Sequence, residues 1–225
     1  MQYNNIAFIG FGLIAGSIAK AIRKYRTESI IYAYTNNRSE LLKGKSDGII
    51  DIILEGIDST LSDCDIVFLC TPVEFNDKYL KDIKPYIRKD AIITDVGSTK
   101  SSIHSLAKEL ELEDVFIGGH PMAGSEKTGY DASDALLLEN AYYMITPSSK
   151  INAEKLKVFS GIIESIKAIP FVIDYQKHDK VVATISHLPH IIAATLVNLV
   201  SENDYDDGVM KRVAAGGFKD ITRIA

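Results

Sequence analysis

The first half of the chain alternates short apolar runs with longer segments of mixed polarity. The runs are rich in β-branched and aromatic residues and occupy positions 6–9, 30–34, 66–70, 91–95 and 115–118. Runs that are apolar at nearly every position, rather than at every second one, are typical of strands buried on both faces. Helix-length segments separate them, beginning with a helix predicted over residues 13–25. The pattern therefore predicts a parallel sheet with helices on both sides.

Two later runs, residues 141–145 and 171–173, look like further strands of the same sheet, with a helix over 151–167 between them. After Asp174 the pattern changes to a long, mostly apolar helical segment over about 178–203. Because crossovers between parallel strands are right-handed, the predicted fold is α/β: a doubly wound, mostly parallel Rossmann-type sheet followed by an all-helical C-terminal domain. We place the two domains at residues 1–173 and 174–225.

A glycine-rich turn, residues 10–16, follows the first predicted strand and opens the first helix. Gly10 permits the tight turn, Gly12 lets the backbone approach a pyrophosphate without a Cβ in the way, and Ala15 fills the small-residue position. The phosphates would lie beside Leu13 and Ile14, where unpaired N–H groups and the helix dipole attract anions. A tight turn with no ligand is the alternative. The strand before and the helix after favour the nucleotide, so the first domain is predicted to bind a dinucleotide.

The residue that reads the ribose of the dinucleotide is expected at the end of the second strand. An Asp or Glu at this spacing would accept hydrogen bonds from the ribose 2′-hydroxyl and repel a 2′-phosphate. This chain has Thr35, with Arg38 three residues later. Arg38 could hold a 2′-phosphate, or it could be a solvated residue while Thr35 binds the ribose. The sequence therefore leaves both NAD and NADP open as cofactors.

Composition narrows the class of protein. The formal charge is −5 and the Lys and Arg residues are scattered, so no basic patch favours nucleic-acid binding. Cys64 and Cys70 form no CxxC pair, which argues against a disulfide and against zinc, and no metal site is expected. The apolar N-terminus is preceded by no Lys or Arg and is interrupted by glycines, unlike a signal peptide. No run approaches the roughly 20 apolar residues of a membrane span, so we expect a cytoplasmic protein.

Three polar segments follow apolar runs and should meet at one edge of the sheet: residues 71–74, 95–100 and 118–127. Thr71 and Pro72 are expected to contact the cofactor. A neutral imidazole at His120, beside a nicotinamide, could accept a proton from a substrate hydroxyl as hydride leaves the same carbon. The alternative is that His120 only stabilises a turn in a glycine-rich loop. The polar loop and its place at the sheet edge favour catalysis.

Several segments together resemble the prephenate dehydrogenases, a family that includes the arogenate dehydrogenases. They are Asp95–Lys100, Gly118–Gly129, His178-Asp179, Ser186–His190 and Gly216–Ala225. The resemblance spans essentially the whole chain, and the segments beginning at His120 and Gly216 are its most specific parts. It implies an NAD(P)-dependent oxidative decarboxylation of prephenate to 4-hydroxyphenylpyruvate, a step of tyrosine biosynthesis. It also implies that the helical domain forms a homodimer.

The same resemblance implies roles for single residues. His120 accepts the hydrogen bond of the ring hydroxyl, and Ser98 orients His120 and that hydroxyl. Arg223 binds a substrate carboxylate, a task that suits a planar guanidinium. Four further residues would line the substrate pocket: Ser125, Glu126, His187 and Gly216.

Helical geometry separates the C-terminal histidines. His178 and His187 are nine residues apart and would lie on opposite faces of a straight helix, so we favour His187 over His178 as a pocket residue. His187 and His190 share a face, although Pro189 would kink the helix there. A metal pair at these two positions lacks Cys or carboxylate support, and a packed role is favoured.

Arg223 lies two residues from the end of the chain, where backbone usually frays. Family members continue with further helices that build the dimer and complete the pocket. The resemblance therefore leads us to expect that residues 174–225 are an incomplete substrate and dimerisation domain. If the chain instead ends at Ala225, the role of Arg223 as substrate clamp is doubtful.

Three alternatives stay open. An arogenate dehydrogenase would carry the same motifs, since its substrate differs only at the side chain. A β-hydroxyacid-type dehydrogenase shares the architecture but uses a lysine on the long helix in a Gly-x-x-x-Lys pattern, which is missing here; Lys100 instead reads as a helix N-terminal residue near the cofactor. A non-catalytic NAD(P)-binding sensor would need the glycine turn but not the segments around His120 and Arg223.

Overall fold

The computed structural model describes residues 3–225, which divide into two compact units. The first unit ends at His178, and the second is Asp179–Ala225. The first unit contains a parallel sheet in the order β3-β2-β1-β4-β5. Its strands are β1 Asn5–Ile9, β2 Ile30–Tyr34, β3 Ile52–Ile53, β4 Ile66–Leu69 and β5 Ile92–Asp95. The α/β prediction with a Rossmann-type sheet is confirmed, although the two-residue β3 was not predicted.

Helices cover both faces of this sheet because its central strands, β1 and β4, are apolar at every position but Asn5. In β1, Phe8 belongs to one hydrophobic cluster and Ile9 to the other, and both side chains are fully buried. Phe8 stacks on Phe68 of β4 at a centroid distance of 5.1 Å. The surrounding helices of the first unit are α1 Leu13–Tyr25, α2 Arg38–Ser46, α3 Val73–Ile83, α4 Ser101–Glu109 and α5 Ala153–Ser165. The predicted bounds of α1 are those observed.

The later strands form a second sheet, which corrects the prediction that they extend the first. Its strands are β6 Ile117–Pro121, β7 Tyr142–Pro147 and β8 Ile169–Val172, in the order β6-β7-β8. β6 and β7 are antiparallel, and β7 and β8 are parallel. Residues 122–141 contain only a 3-10 turn at Tyr130–Ala132, so the chain returns without a crossover helix. Just before β6, one parallel bridge between Ile93 and Phe116 joins the two sheets.

The second unit is helical, and it continues a helix that starts in the first. This helix consists of α6 Tyr175–Val182, a π-helical turn Ala183–His187 and α7 Leu188–Asn203, followed by α8 Val209–Val213 and α9 Gly216–Thr222. Pro189 lies in the first turn of α7, so the predicted irregularity takes the form of the π turn before it. Within the unit α7 packs on α9, and Nδ1 of His190 bonds the carbonyl of Ile224 at 2.8 Å.

The continuous helix Tyr175–Asn203 is 29 residues long and, by length and composition alone, apolar enough to cross a membrane. This differs from the expectation that no segment approaches that length, because α6, the π turn and α7 run on without a break. A helix that is covered by another protein subunit has the same composition.

Candidate active site

The glycine-rich turn has the backbone geometry that a dinucleotide needs. Gly10 has φ +88°, and a Cβ there would lie 2.8 Å from the carbonyl carbon and oxygen of Cys70. Its N–H donates to the carbonyl of Tyr34 at 2.7 Å, which fixes the turn against β2. A Cβ at Gly12 would meet no atom of the chain within 4 Å. Gly10 is therefore required by the fold, whereas Gly12 leaves space that the protein does not use.

The space beside Gly12 opens into a cleft of about 850 Å³. The cleft lies at the carboxyl ends of β1, β2 and β4, where the strand order reverses direction and open α/β sheets bind ligands. Among residues 3–225, no side chain caps the N-terminus of α1. Seven of the eight residues predicted to bind the cofactor line the cleft: Gly10, Gly12, Leu13, Ile14, Thr35, Thr71 and Pro72. The residues present thus fit a dinucleotide with its phosphates at the start of α1.

Arg38 is the eighth, and it does not line the cleft. Its guanidinium forms a two-pronged ion pair with Glu55, at 2.6 Å and 3.1 Å. Hydrogen bonding to the partner raises the pKa of Arg38 and lowers that of Glu55. An arginine held in this way is less available to a 2′-phosphate than a free one. Sequence reasoning missed Glu55, because the pair joins the start of α2 to the residues after β3.

The loop after β6 forms another wall of the cleft. Ser125, Lys127, Thr128 and Gly129 line the same space as the glycine turn, whereas Glu126 is exposed and is not among the lining residues. Tyr130 anchors the end of this loop, because its ring stacks on Phe11 at 5.3 Å and its hydroxyl donates to Asp47 at 3.0 Å. Ser125, predicted to contact substrate, therefore faces the cofactor cleft.

Asp95 connects the loop that carries Ser98 to the strand that carries His120. Its carboxylate is fully buried and accepts from the N–H of Gly97 at 2.9 Å and of Gly119 at 3.3 Å. The ammonium of Lys100, also fully buried, forms an ion pair with the same carboxylate. Ser98 itself is exposed. Lys100 precedes α4 as predicted, but its charge is directed into the protein interior at Asp95.

His120 is half-buried near the end of β6, and its Nδ1 lies 3.0 Å from Nε2 of His178. His178 is fully buried, and the two rings meet at 66°. The helical-wheel argument favoured His187 over His178, yet it is His178 that contacts the predicted base. That contact spans 58 residues of sequence and depends on where α6 docks, which a comparison of positions within one helix does not reveal.

The remaining predicted substrate residues belong to the second unit. His187 is half-buried at the end of the π turn, Gly216 is exposed at the start of α9, and Arg223 is exposed at its end. Across residues 3–225, no group of three or more His, Cys, Asp or Glu side chains is placed to hold a metal ion. The assignment of these three residues to a substrate pocket stays a prediction.

Two family models match the chain. Residues 18–171 match the nucleotide-binding domain of prephenate dehydrogenase, and residues 174–225 match the dimerization domain of prephenate dehydrogenase. The prephenate dehydrogenase of Lactococcus lactis subsp. cremoris is 41% identical over 223 residues, which cover 98% of this chain and 60% of that protein. The chain thus spans less than two thirds of the length of this relative.

Solved structures give the same result. The structure of prephenate dehydrogenase from A. aeolicus, in complex with hydroxyphenyl propionate and NAD+, matches with a TM-score of 0.91 and 31% identity. The match covers 100% of this chain and 78% of that one. Arogenate dehydrogenase from Synechocystis matches with a TM-score of 0.86 and 31% identity, over 98% of this chain and 78% of that one.

Proposed function

Because this chain belongs to the prephenate dehydrogenase family, we propose that it oxidises prephenate to 4-hydroxyphenylpyruvate with loss of carbon dioxide. The observation that carries the proposal is the pairing of a dinucleotide cleft with a histidine held at the end of the neighbouring strand β6. A bound nicotinamide would accept hydride from the ring carbon that bears the hydroxyl. The chain's own residues would bind and orient the substrate and would accept and return its hydroxyl proton.

His120 is the residue that we place at the hydroxyl. One nitrogen of its imidazole ring would accept the hydroxyl proton as the hydride leaves the same carbon. As the C–H bond breaks towards the cofactor, the bond to the ring carboxylate breaks and its electron pair enters the ring. The oxygen is protonated in the phenol product, so the proton held by His120 returns to it. Arg223 is proposed to hold a substrate carboxylate, and Ser98 to orient His120 and the substrate hydroxyl.

The direct test follows absorbance of reduced nicotinamide in four mixtures, with prephenate or arogenate against NAD or NADP. A rise with prephenate supports the proposal, and a flat trace in all four, from protein that still binds the dinucleotide, contradicts it. His120→Asn should lower turnover by about two to four orders of magnitude, the usual scale for loss of an acid–base group. A variant that retains near-native turnover would contradict the role of His120.

Arogenate is the second candidate substrate, and the similarity to the Synechocystis arogenate dehydrogenase favours keeping it. The two substrates carry a keto or an amino group at the side chain, away from the ring carbon that loses hydride. The same four mixtures separate them, since the mixture that rises identifies the side chain accepted. If the protein only senses the dinucleotide, it binds the cofactor but none of the four mixtures changes.

We infer that NAD is the preferred cofactor. The only arginine predicted to meet a 2′-phosphate is paired with Glu55 and lies outside the cleft lining. Glu55→Gln should release Arg38 and improve use of NADP relative to NAD by about two- to fivefold, because an exposed ion pair is weak. A wild-type protein that turns over NADP faster than NAD would contradict this preference.

We propose further that the second unit forms a homodimer. One side of α7 exposes four large apolar side chains: Leu188 at 49%, Ile191 at 62%, Ile192 at 46% and Leu199 at 56%. The opposite side carries Ala193, which is fully buried, and His190, which bonds the segment after α9. A helix that is apolar on all sides is normally buried on all sides. The match of residues 174–225 to a dimerization domain points to a second copy as its cover.

A further inference from the structure

His178 is a buried titratable side chain that the proposed function does not use. Its side chain is fully buried, and its Nε2 lies 3.0 Å from Nδ1 of His120. At this distance one of the two nitrogens donates a proton to the other. Which of them donates decides the state of His120, because a neutral imidazole carries one N–H and one bare nitrogen.

Two local features hold His178 in this position. The carboxylate of Asp174 accepts from the N–H groups of Gln176 and Lys177, both at 2.9 Å, and so caps the start of α6. Tyr175 stacks on His104 of α4, with centroids 4.4 Å apart and planes at 13°. Tyr175 and His178 are three residues apart in one helix and therefore share a face. The same docking of α6 thus places both side chains against the first unit's core.

Two arrangements of the pair satisfy the hydrogen bond. If Nε2 of His178 donates, Nδ1 of His120 carries no proton. The proton of His120 is then on its own Nε2, and this nitrogen cannot accept another. If Nδ1 of His120 donates, Nε2 of His120 carries no proton and can accept the one from the hydroxyl. Only the second arrangement produces a base.

We propose that His178 is the positioning residue of the catalytic base. It is a neutral imidazole whose Nε2 accepts the Nδ1–H of His120, and this hydrogen bond keeps Nε2 of His120 unprotonated. The proposal rests on the proposed function of His120. When Nε2 takes the hydroxyl proton, the positive ring donates its Nδ1–H to the lone pair of His178. The proton returns to the oxygen as the phenol forms, so neither histidine changes its proton count over a turnover.

Kinetics of two matched variants test the role of the acceptor. His178→Gln keeps an oxygen that accepts near the position of Nε2, whereas His178→Leu has similar bulk and no acceptor. His178→Leu should lower kcat by about 10- to 100-fold, the usual scale for loss of a group that orients another. The KM for prephenate and the KM for NAD should stay within about twofold of the wild-type values, and His178→Gln should recover most of kcat. A native kcat in His178→Leu, or equal losses in both variants, would overturn the proposal.

Nitrogen NMR of the histidine rings tests the tautomer without any turnover. The chain has five histidines, and the signals of His120 and His178 are assigned by their loss in His120→Asn and His178→Gln. At pH 8 the proposal requires that His120 carries its proton on Nδ1 and that Nε2 of both rings is bare. A proton on Nε2 of either ring refutes it.

The two measurements also separate this inference from the proposed function. If none of the four substrate and cofactor mixtures turns over but the NMR pattern holds, the proposed function fails while the hydrogen-bond arrangement stands. If the wild type is active and His178→Leu is equally active, only the role of His178 fails. If His178→Leu does not fold, His178→Gln and the wild-type NMR spectrum still decide the tautomer.

Discussion

Gly10 and Gly12 stand two residues apart in one turn, yet the structure requires them for different reasons. Gly10 has a positive φ and no room for a Cβ, whereas Gly12 has free space around its Cα. That difference makes Gly12 a probe of the ligand alone. The sequence predicted both roles, because the requirement for glycine follows from the strand–turn–helix context without knowledge of the rest of the fold.

Gly12→Ala should therefore leave the fold intact and weaken dinucleotide binding by about tenfold or more, since the new methyl group occupies the space that the pyrophosphate needs. Isothermal titration with NAD measures the binding, and circular dichroism checks the fold. Gly161→Ala is the matched control, because a Cβ at Gly161 in α5 also meets no atom within 4 Å. It should bind NAD normally. Equal affinity of Gly12→Ala and the wild type for NAD would contradict the placement of the phosphates at this turn.

The two thiols illustrate how burial controls reactivity. Burial raises the pKa of Cys64 to about 12, and burial together with Asp95 raises the pKa of Cys70 well above its usual value. Because the thiolate is the reactive form, a raised pKa means that reaction starts only as the pH climbs towards that value. At pH 8 iodoacetamide should modify neither cysteine in the folded protein, and both in urea, as measured by intact mass. Rapid labelling of native Cys70 at pH 8 would show that its environment is more polar than described.

At the scale of elements, β1, α1 and β2 could be predicted from local pattern, but the partners of the later strands could not. The runs at 141–145 and 171–173 predicted strands, yet an apolar run does not encode which strand it pairs with or in which direction. The missing information lay in residues 122–141, which have no crossover helix and therefore allow β7 to return antiparallel to β6. The link from His120 to His178 was missed for a similar reason, since it depends on the docking of α6.

Asp95, at the end of β5, forms a buried ion pair with Lys100, which lies just before α4, and it also accepts from the N–H of Gly119 in β6. Lys100→Met should lower the free energy of unfolding by about 3–5 kcal/mol, because it leaves a buried carboxylate without its counter-charge. Urea unfolding followed by circular dichroism measures the loss. Asp95→Asn combined with Lys100→Met should lose less, since no unpaired charge remains. Lys43→Met breaks the exposed pair with Asp131 and should leave the urea midpoint unchanged.

For the whole molecule, features encoded in short segments could be predicted, whereas contacts that depend on the packing of distant segments could not. The glycine turn and the family motifs predicted the family, because each lies in a short segment with a defined context. The cleft also contains Lys127 and Thr128, and Arg38 turned out to be engaged elsewhere. Side chains that meet across loops are set by packing of the complete first unit. A single sequence contains no local signal for such contacts. A buried strand, in contrast, is indicated by its own run of apolar residues.

The exposed side of α7 gives the prediction for the whole assembly. Ile191→Asp places a charge among the four exposed apolar side chains and should convert the proposed dimer into a monomer, with the helical content unchanged. Light scattering after size exclusion measures the mass, and circular dichroism the helix. Burying an isolated carboxylate in an apolar interface is costly, so the dimer is expected to dissociate rather than adjust.

Ser201→Asp is the control, because at about 100° per residue Ser201 lies about 140° from the middle of the four apolar residues. The same charge there should leave the dimer intact. A wild-type protein that runs as a monomer in buffer but binds lipid vesicles through this helix would contradict the dimer and assign the apolar side to a membrane. A dimer that survives Ile191→Asp would place the interface on another surface of the chain, because the side of α7 that the second copy is proposed to cover would then carry a charge at no cost.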